Sequence, residues 1–251
     1  MPESQAQPLE GKAALITGAA RRIGAQLART LHEAGANVIV HYRSSADEAA
    51  ALARSLNAVR PRSAVTAQAD LLETARIPRL VADAAAAFGR LDILVNNASS
   101  FFATPLGEIE ERQWDDLVGT NLKAPLFLAQ AAARDLGAAR GLIVNLVDIH
   151  ALRPLRHYPV YSIAKAGLVA LTRSLARELA PEVRVNGVAP GPVMWPETLA
   201  TELQQQIIAH TLLKRPGAPL DVARAVLFFA ADAPYVTGQI LAVDGGRSLG
   251  W

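Results

Sequence analysis

Short, largely apolar runs recur along the chain, each followed by a longer stretch with helical spacing. The runs occupy 13–17, 37–41, 64–69, 91–95, 142–147, 183–188 and 240–243. Val, Ile and Leu dominate most of them without polar alternation, as strands covered on both faces require. Between them, helical segments are expected near 23–35, 46–59, 73–88, 109–136, 160–180 and 219–231. Strand-helix alternation with right-handed crossovers predicts a doubly wound, Rossmann-like α/β fold with helices on both faces of a parallel sheet. No linker, repeat or composition break interrupts 11–251, so one domain is expected there.

Two stretches depart from the alternation. Residues 1–10 are polar with two prolines, lack the apolar segment of a secretory signal, and are expected to be a flexible lead-in. Residues 190–219 are irregular, with prolines at 190, 192, 196 and 216 and a short helical piece near 198–212. Beyond the carboxyl end of a strand, such a segment is well placed to cover a ligand crevice.

Composition narrows the function classes. A chain of 251 residues that is 51% hydrophobic can bury a large core. Its formal net charge is only +2, with arginines scattered, so nothing favours nucleic acid as a partner. Cysteine is absent, which removes disulfides, thiolate metal sites and a thiol nucleophile, and no metal is expected. No apolar run approaches the roughly 18–20 residues that cross a bilayer. A soluble, cytoplasmic protein without membrane contact is the expectation.

The first run leads directly into Thr17-Gly18-Ala19-Ala20-Arg21-Arg22-Ile23-Gly24, which opens a helix. That is the context of a dinucleotide fingerprint. Gly18 allows a backbone shape that a side chain would hinder, and Gly24 lets helix and strand pack closely. The N–H groups of the helix start, around Arg22 and Ile23, face phosphates. An ordinary strand-helix turn shares these traits, so the other run ends matter. Asp70, followed by Leu71, ends the third run and can accept from an adenine amino group. Asn96-Asn97-Ala98-Ser99 ends the fourth, and Pro190-Gly191 the sixth. The second ends His41-Tyr42-Arg43-Ser44, about twenty residues past the turn, where NAD-selective proteins usually place a carboxylate. Here Arg43 and Ser44 suit a 2′-phosphate, which favours NADPH. Asp47 and Glu48, a few residues on, weigh the other way.

Tyr161 and Lys165 are one helical turn apart and share a face. A phenol with a pKa near 10 is a reluctant acid, and a neighbouring cation is expected to lower that pKa. Lys165 can also hold the nicotinamide ribose. Such a pair also arises from a tyrosine packed under a lysine. Asp148, at the end of the fifth run, points toward the same crevice or caps a turn. Asn121, in the long fifth helix, holds a water linked to Lys165 or is a helix-surface residue.

With these motifs in order, the chain resembles the short-chain dehydrogenase/reductase family over essentially its whole length. The resemblance rests on residues 17–24, Asp70, Asn96-Asn97-Ala98, Asn121, Tyr161 with Lys165, Arg184-Val185-Asn186 and Pro190-Gly191. It implies seven parallel strands in the order 3-2-1-4-5-6-7, commonly a homotetramer, and Tyr161 as proton donor. Two positions depart from the family's usual pattern: Arg22 stands at a usual glycine, and Asp148 at the usual catalytic serine. Both are similar to the pteridine reductases within the family, as are Asn97-Ala98-Ser99-Ser100-Phe101, His41-Tyr42-Arg43-Ser44 and the ending Val243-Asp244-Gly245-Gly246-Arg247-Ser248-Leu249.

That subgroup implies roles for particular residues. Arg22 would contact pyrophosphate and pterin, Ser99 would touch pterin and cofactor, and Phe101 would stack the pterin against the nicotinamide. Asp148 would pair with Tyr161 in proton delivery. Trp251 would reach a neighbouring subunit's substrate pocket. The chemistry agrees, since a flat pterin suits an aromatic face and a planar guanidinium fork. Phe101 as a loop anchor and Arg22 as a solvated arginine remain simpler alternatives. The implied function is NADPH-dependent reduction of dihydropterins, with oxidised pterins and dihydrofolate as further candidates. A carbonyl or 3-oxoacyl-thioester reductase is the first alternative, and a non-catalytic NADPH-binding sensor the second.

Overall fold

Seven strands form one parallel sheet in the order 3-2-1-4-5-6-7. A computed structural model describes residues 7–195 and 199–250. The first half of the chain runs β1 (Ala13–Ile16), α1 (Arg22–Glu33), β2 (Asn37–Tyr42), α2 (Ala46–Val59), β3 (Ala64–Gln68), α3 (Ile77–Phe88) and β4 (Ile93–Asn96). Then come α4 (Glu111–Val118), α5 (Ala124–Ala138), β5 (Leu142–Leu146), α6 (Pro159–Glu178) and β6 (Arg184–Pro190). The last elements are α7 (Thr201–Ala209), α8 (Pro219–Ala231) and β7 (Ile240–Val243).

Strand periodicity divides the core into two layers. Alternate residues of β1 face opposite sides: Ala14 and Ile16 pack with Leu27 and Leu31 of α1 and Val226 and Phe229 of α8. Ala13 and Leu15 pack with Leu80 and Ala84 of α3 and Leu128 and Ala132 of α5. All four β1 residues are buried, which is why this strand shows no polar alternation.

Three expectations are corrected. The lead-in is not loose along its whole length: Leu9 is fully buried and its N–H donates to Ala34 O at 2.9 Å, so residues from Gln7 onward pack against the end of α1. The single helix expected over 109–136 is instead α4 and α5, joined by a π-helical turn, Gly119–Lys123. Pro125 has no N–H to offer Asn121 O, and the Asn121 side chain donates to Leu117 O at 2.9 Å. Regular α-helical bonding is therefore interrupted there. In the irregular segment, α7 is shorter than the piece expected near 198–212, and Pro196 lies outside the described residues. So does Trp251, to which a role at a neighbouring pocket was assigned. Among the described residues, no helix is long and apolar enough to cross a membrane.

Candidate active site

The carboxyl ends of the strands hold a cleft of about 370 Å³. From the turn after β1, Gly18, Arg22, Ile23 and Gly24 line it; from the end of β2, Tyr42, Arg43 and Ser44. Asp70 and Leu71 follow β3, and Asn97, Ala98 and Ser99 follow β4. The sheet order places these loops side by side, because β1 lies between β2 and β4. Pro190 and Gly191 are not among the lining residues; Gly191 packs so closely on Asp244 that an added Cβ would stand 2.5 Å from its Cβ.

The turn packs tightly against its own neighbours. Gly18 has φ +61, and a Cβ on Gly24 would stand 2.2 Å from Gly18 O. Asn97 Nδ2 donates to Thr17 O at 2.8 Å and Gly18 O at 3.1 Å, while Thr17 Oγ1 accepts from the N–H groups of Asn97 and Ala98. Arg22 has φ 55, a left-handed backbone that costs a residue with a side chain about 1–2 kcal/mol. This conformation accounts for the glycine usual at that position. The Arg22 guanidinium donates to Trp195 O at 3.4 Å, tying the turn to the irregular segment. Arg43, Ser44 and Asp70 share this lining with the glycine turn.

Asp148, Tyr161 and Lys165 meet beyond Ser99. The Tyr161 hydroxyl donates to Asp148 Oδ2 at 2.7 Å, and Asp148 Oδ1 accepts from His150 N–H at 2.8 Å. Both carboxylate oxygens are thus engaged, one as a cap and one toward the phenol. Lys165 is buried, donates to Leu146 O at 2.8 Å, and holds its Nζ 5.7 Å from the Tyr161 ring centroid. Burial lowers its pKa to about 8, against an opposing pull from Asp148.

The phenol departs from expectation. Its pKa is raised well above 10, first by burial, then by the Asp148 charge and hydrogen bond, with nearby Ser99 acting the other way. Asp148, in direct contact, outweighs the more distant lysine. Asn121 also differs: both its donors are used within the protein, on Ser100 O and Leu117 O, and its oxygen accepts from Ser99 Oγ at 2.6 Å. It is buried beside Ser99 and is not a helix-surface residue.

Phe101 is 45% exposed and stacks on Tyr158 with centroids 4.7 Å apart, meeting the Tyr161 ring edge-on at 4.8 Å. Its stacking partner within the protein is therefore Tyr158, a residue the motif reading missed. The available signal was an aromatic three positions before Tyr161. His41 was likewise noted only as part of a run, yet it is buried and bonded to the turn. A histidine inside an apolar strand was the clue.

The parallel sheet, the glycine turn and the Tyr161–Lys165 pair define an oxidoreductase of the short-chain dehydrogenase/reductase family, and the chain belongs to it. A family profile described as enoyl-(acyl carrier protein) reductase matches residues 18–248. Among individual proteins, the chain is 39% identical to pteridine reductase 1 of Leishmania tarentolae, over 94% of this chain and 96% of that protein. It is 36% identical to the 3-oxoacyl-(acyl-carrier-protein) reductase FabG of Staphylococcus aureus, over 95% of this chain and 98% of the other. An uncharacterized oxidoreductase of Methylorubrum extorquens is 37% identical, over 95% and 98%.

Proposed function

We propose that this protein is an NADPH-dependent pteridine reductase that reduces the C=N bond of dihydropterins. The observation that carries the reading is the 2.7 Å hydrogen bond from Tyr161 to Asp148, where carbonyl reductases of the family usually have serine. Pteridine reductase 1 of Leishmania tarentolae, at 39% identity, supports the same substrate class.

Bound NADPH would supply the hydride. Tyr161 would supply the proton to the adjoining ring nitrogen. Burial and Asp148 hold the phenol protonated, so it arrives at the reaction as an acid. Asp148 would keep the Tyr161 hydroxyl oriented through their hydrogen bond. Half-exposed Phe101, backed by Tyr158, offers the pterin an aromatic wall, while Arg22 offers a planar donor fork. Arg43 and Ser44 would receive the 2′-phosphate. Of the two nearby acids that would oppose it, Asp47 and Glu48, the latter faces Arg21 at 3.4 Å, which offsets its charge. By resemblance, the working form is a cytoplasmic homotetramer.

A second reading, a carbonyl or 3-oxoacyl-thioester reductase, is favoured by the 36% identity to FabG and by the description of the matching family profile. NADPH oxidation separates the two when dihydrobiopterin, dihydromonapterin, dihydrofolate and an acetoacetyl thioester are compared side by side. Faster turnover of a dihydropterin supports the first reading, and thioester turnover with inert pterins overturns it.

A further inference from the structure

His41 interrupts the apolar strand β2 beside the cofactor turn and is only 2% exposed. A buried imidazole needs hydrogen-bond partners, because it has lost water. Its Nδ1 accepts from Gly18 N–H at 3.1 Å, and its Nε2 stands 3.2 Å from Ala69 O. Gly18 N–H can only donate, so Nδ1 carries the lone pair; Nε2 then carries the proton, which Ala69 O accepts. The His41 carbonyl adds a third link, accepting from Ala19 N–H at 2.8 Å.

The partners are the backbones of two different loops of the cleft. Gly18 belongs to the turn proposed to hold the pyrophosphate, and Ala69 immediately precedes Asp70, proposed to meet the adenine. Because β2 lies between β3 and β1, a residue at its end can reach both neighbours at once. Neutral histidine suits this bridge, with an acceptor on one side of its ring and a donor on the other. Burial holds its pKa down at about 4, so the ring stays neutral at ordinary pH.

We propose that His41 is a positioning residue for the adenosine half of the cofactor, its imidazole fixing the spacing between the Gly18 turn and the Ala69-Asp70 loop. This rests on the reading of the cleft as a dinucleotide site. The test is direct titration of the ligand-free protein with ADP and with adenosine 2′,5′-bisphosphate by calorimetry. His41→Leu keeps the bulk and removes both links, and should weaken both ligands by about tenfold, as loss of two hydrogen bonds implies. The KM for cofactor should rise in step, by more than turnover at saturating cofactor falls. His41→Asn places an acceptor near Nδ1 and His41→Gln a donor near Nε2; each should lose less than His41→Leu. Should His41→Leu fail to fold, Asn and Gln decide: a few-fold loss in each supports the role. Unchanged affinities across the variants that fold, whatever their melting temperatures, overturn it, as does a wild type that binds neither ligand. A wild type preferring ADP to the bisphosphate removes the NADPH reading, while a loss of ADP affinity in His41→Leu still supports the role of His41.

Discussion

The Tyr161 hydroxyl donates to Asp148 Oδ2 at 2.7 Å, although Asp148 follows β5 and Tyr161 lies in the first turn of α6. The carboxylate has little freedom to turn away, because His150 N–H holds its other oxygen. Burial raises the phenol pKa, and this contact raises it further where a serine hydroxyl, carrying no charge, would not.

Tyr161→Phe removes that proton and leaves the cleft lining intact. Turnover should fall by about 10²–10⁴, the usual worth of a general acid, while NADPH affinity stays within a few-fold. Stopped-flow rates beside a fluorescence titration check both quantities, and unchanged turnover would mean that another group delivers the proton.

Asp148→Ser installs the residue usual in carbonyl reductases of the family. Pterin turnover should drop more than any activity toward a carbonyl substrate, and the phenol should titrate at lower pH once the carboxylate is gone. Equal losses on both substrates would assign Asp148 to capping the Ile149–Ala151 turn alone.

Arg43→Ala tests the reading of the 2′-phosphate. NADPH should weaken by up to roughly 1.5–3 kcal/mol, the worth of a charged hydrogen bond, with NADH nearly unaffected. The ratio of the two dissociation constants is the decisive measurement, and a parallel loss rules out phosphate recognition by this side chain.

A pH profile tests Lys165. Its pKa is lowered to about 8, so the ammonium is present below that pH and lost as pH rises through it. Cofactor affinity should therefore decline above pH 8 with the slope of one proton, if the charged form orients the ribose. Lys165→Arg keeps the charge at any accessible pH and should flatten that decline. An inflection surviving in this variant would belong to a different group.

Much of the fold was legible because its signals are local. Strands buried on both faces are apolar over most of their length, and the runs around β1, β4 and β5 mark them without any knowledge of neighbours. The same holds for the Gly18 turn and for Tyr161 with Lys165, whose spacing alone puts them on one helical face. The split between α4 and α5 was harder to see. Pro125 so close to Asn121 marked the place, but the π-turn also depends on Asn121 finding Leu117 O, Ser100 O and Ser99.

The sequence by itself determined the alternation of elements, the glycine turn, and which loop ends carry polar residues, because these follow from backbone sterics and side-chain period. Only the tertiary structure decided which direction the Tyr161 pKa moves, that Phe101 stacks on Tyr158, and that His41 joins the Gly18 and Ala69 loops. Each of those depends on burial or on contact across space between separate elements, and sequence spacing encodes neither.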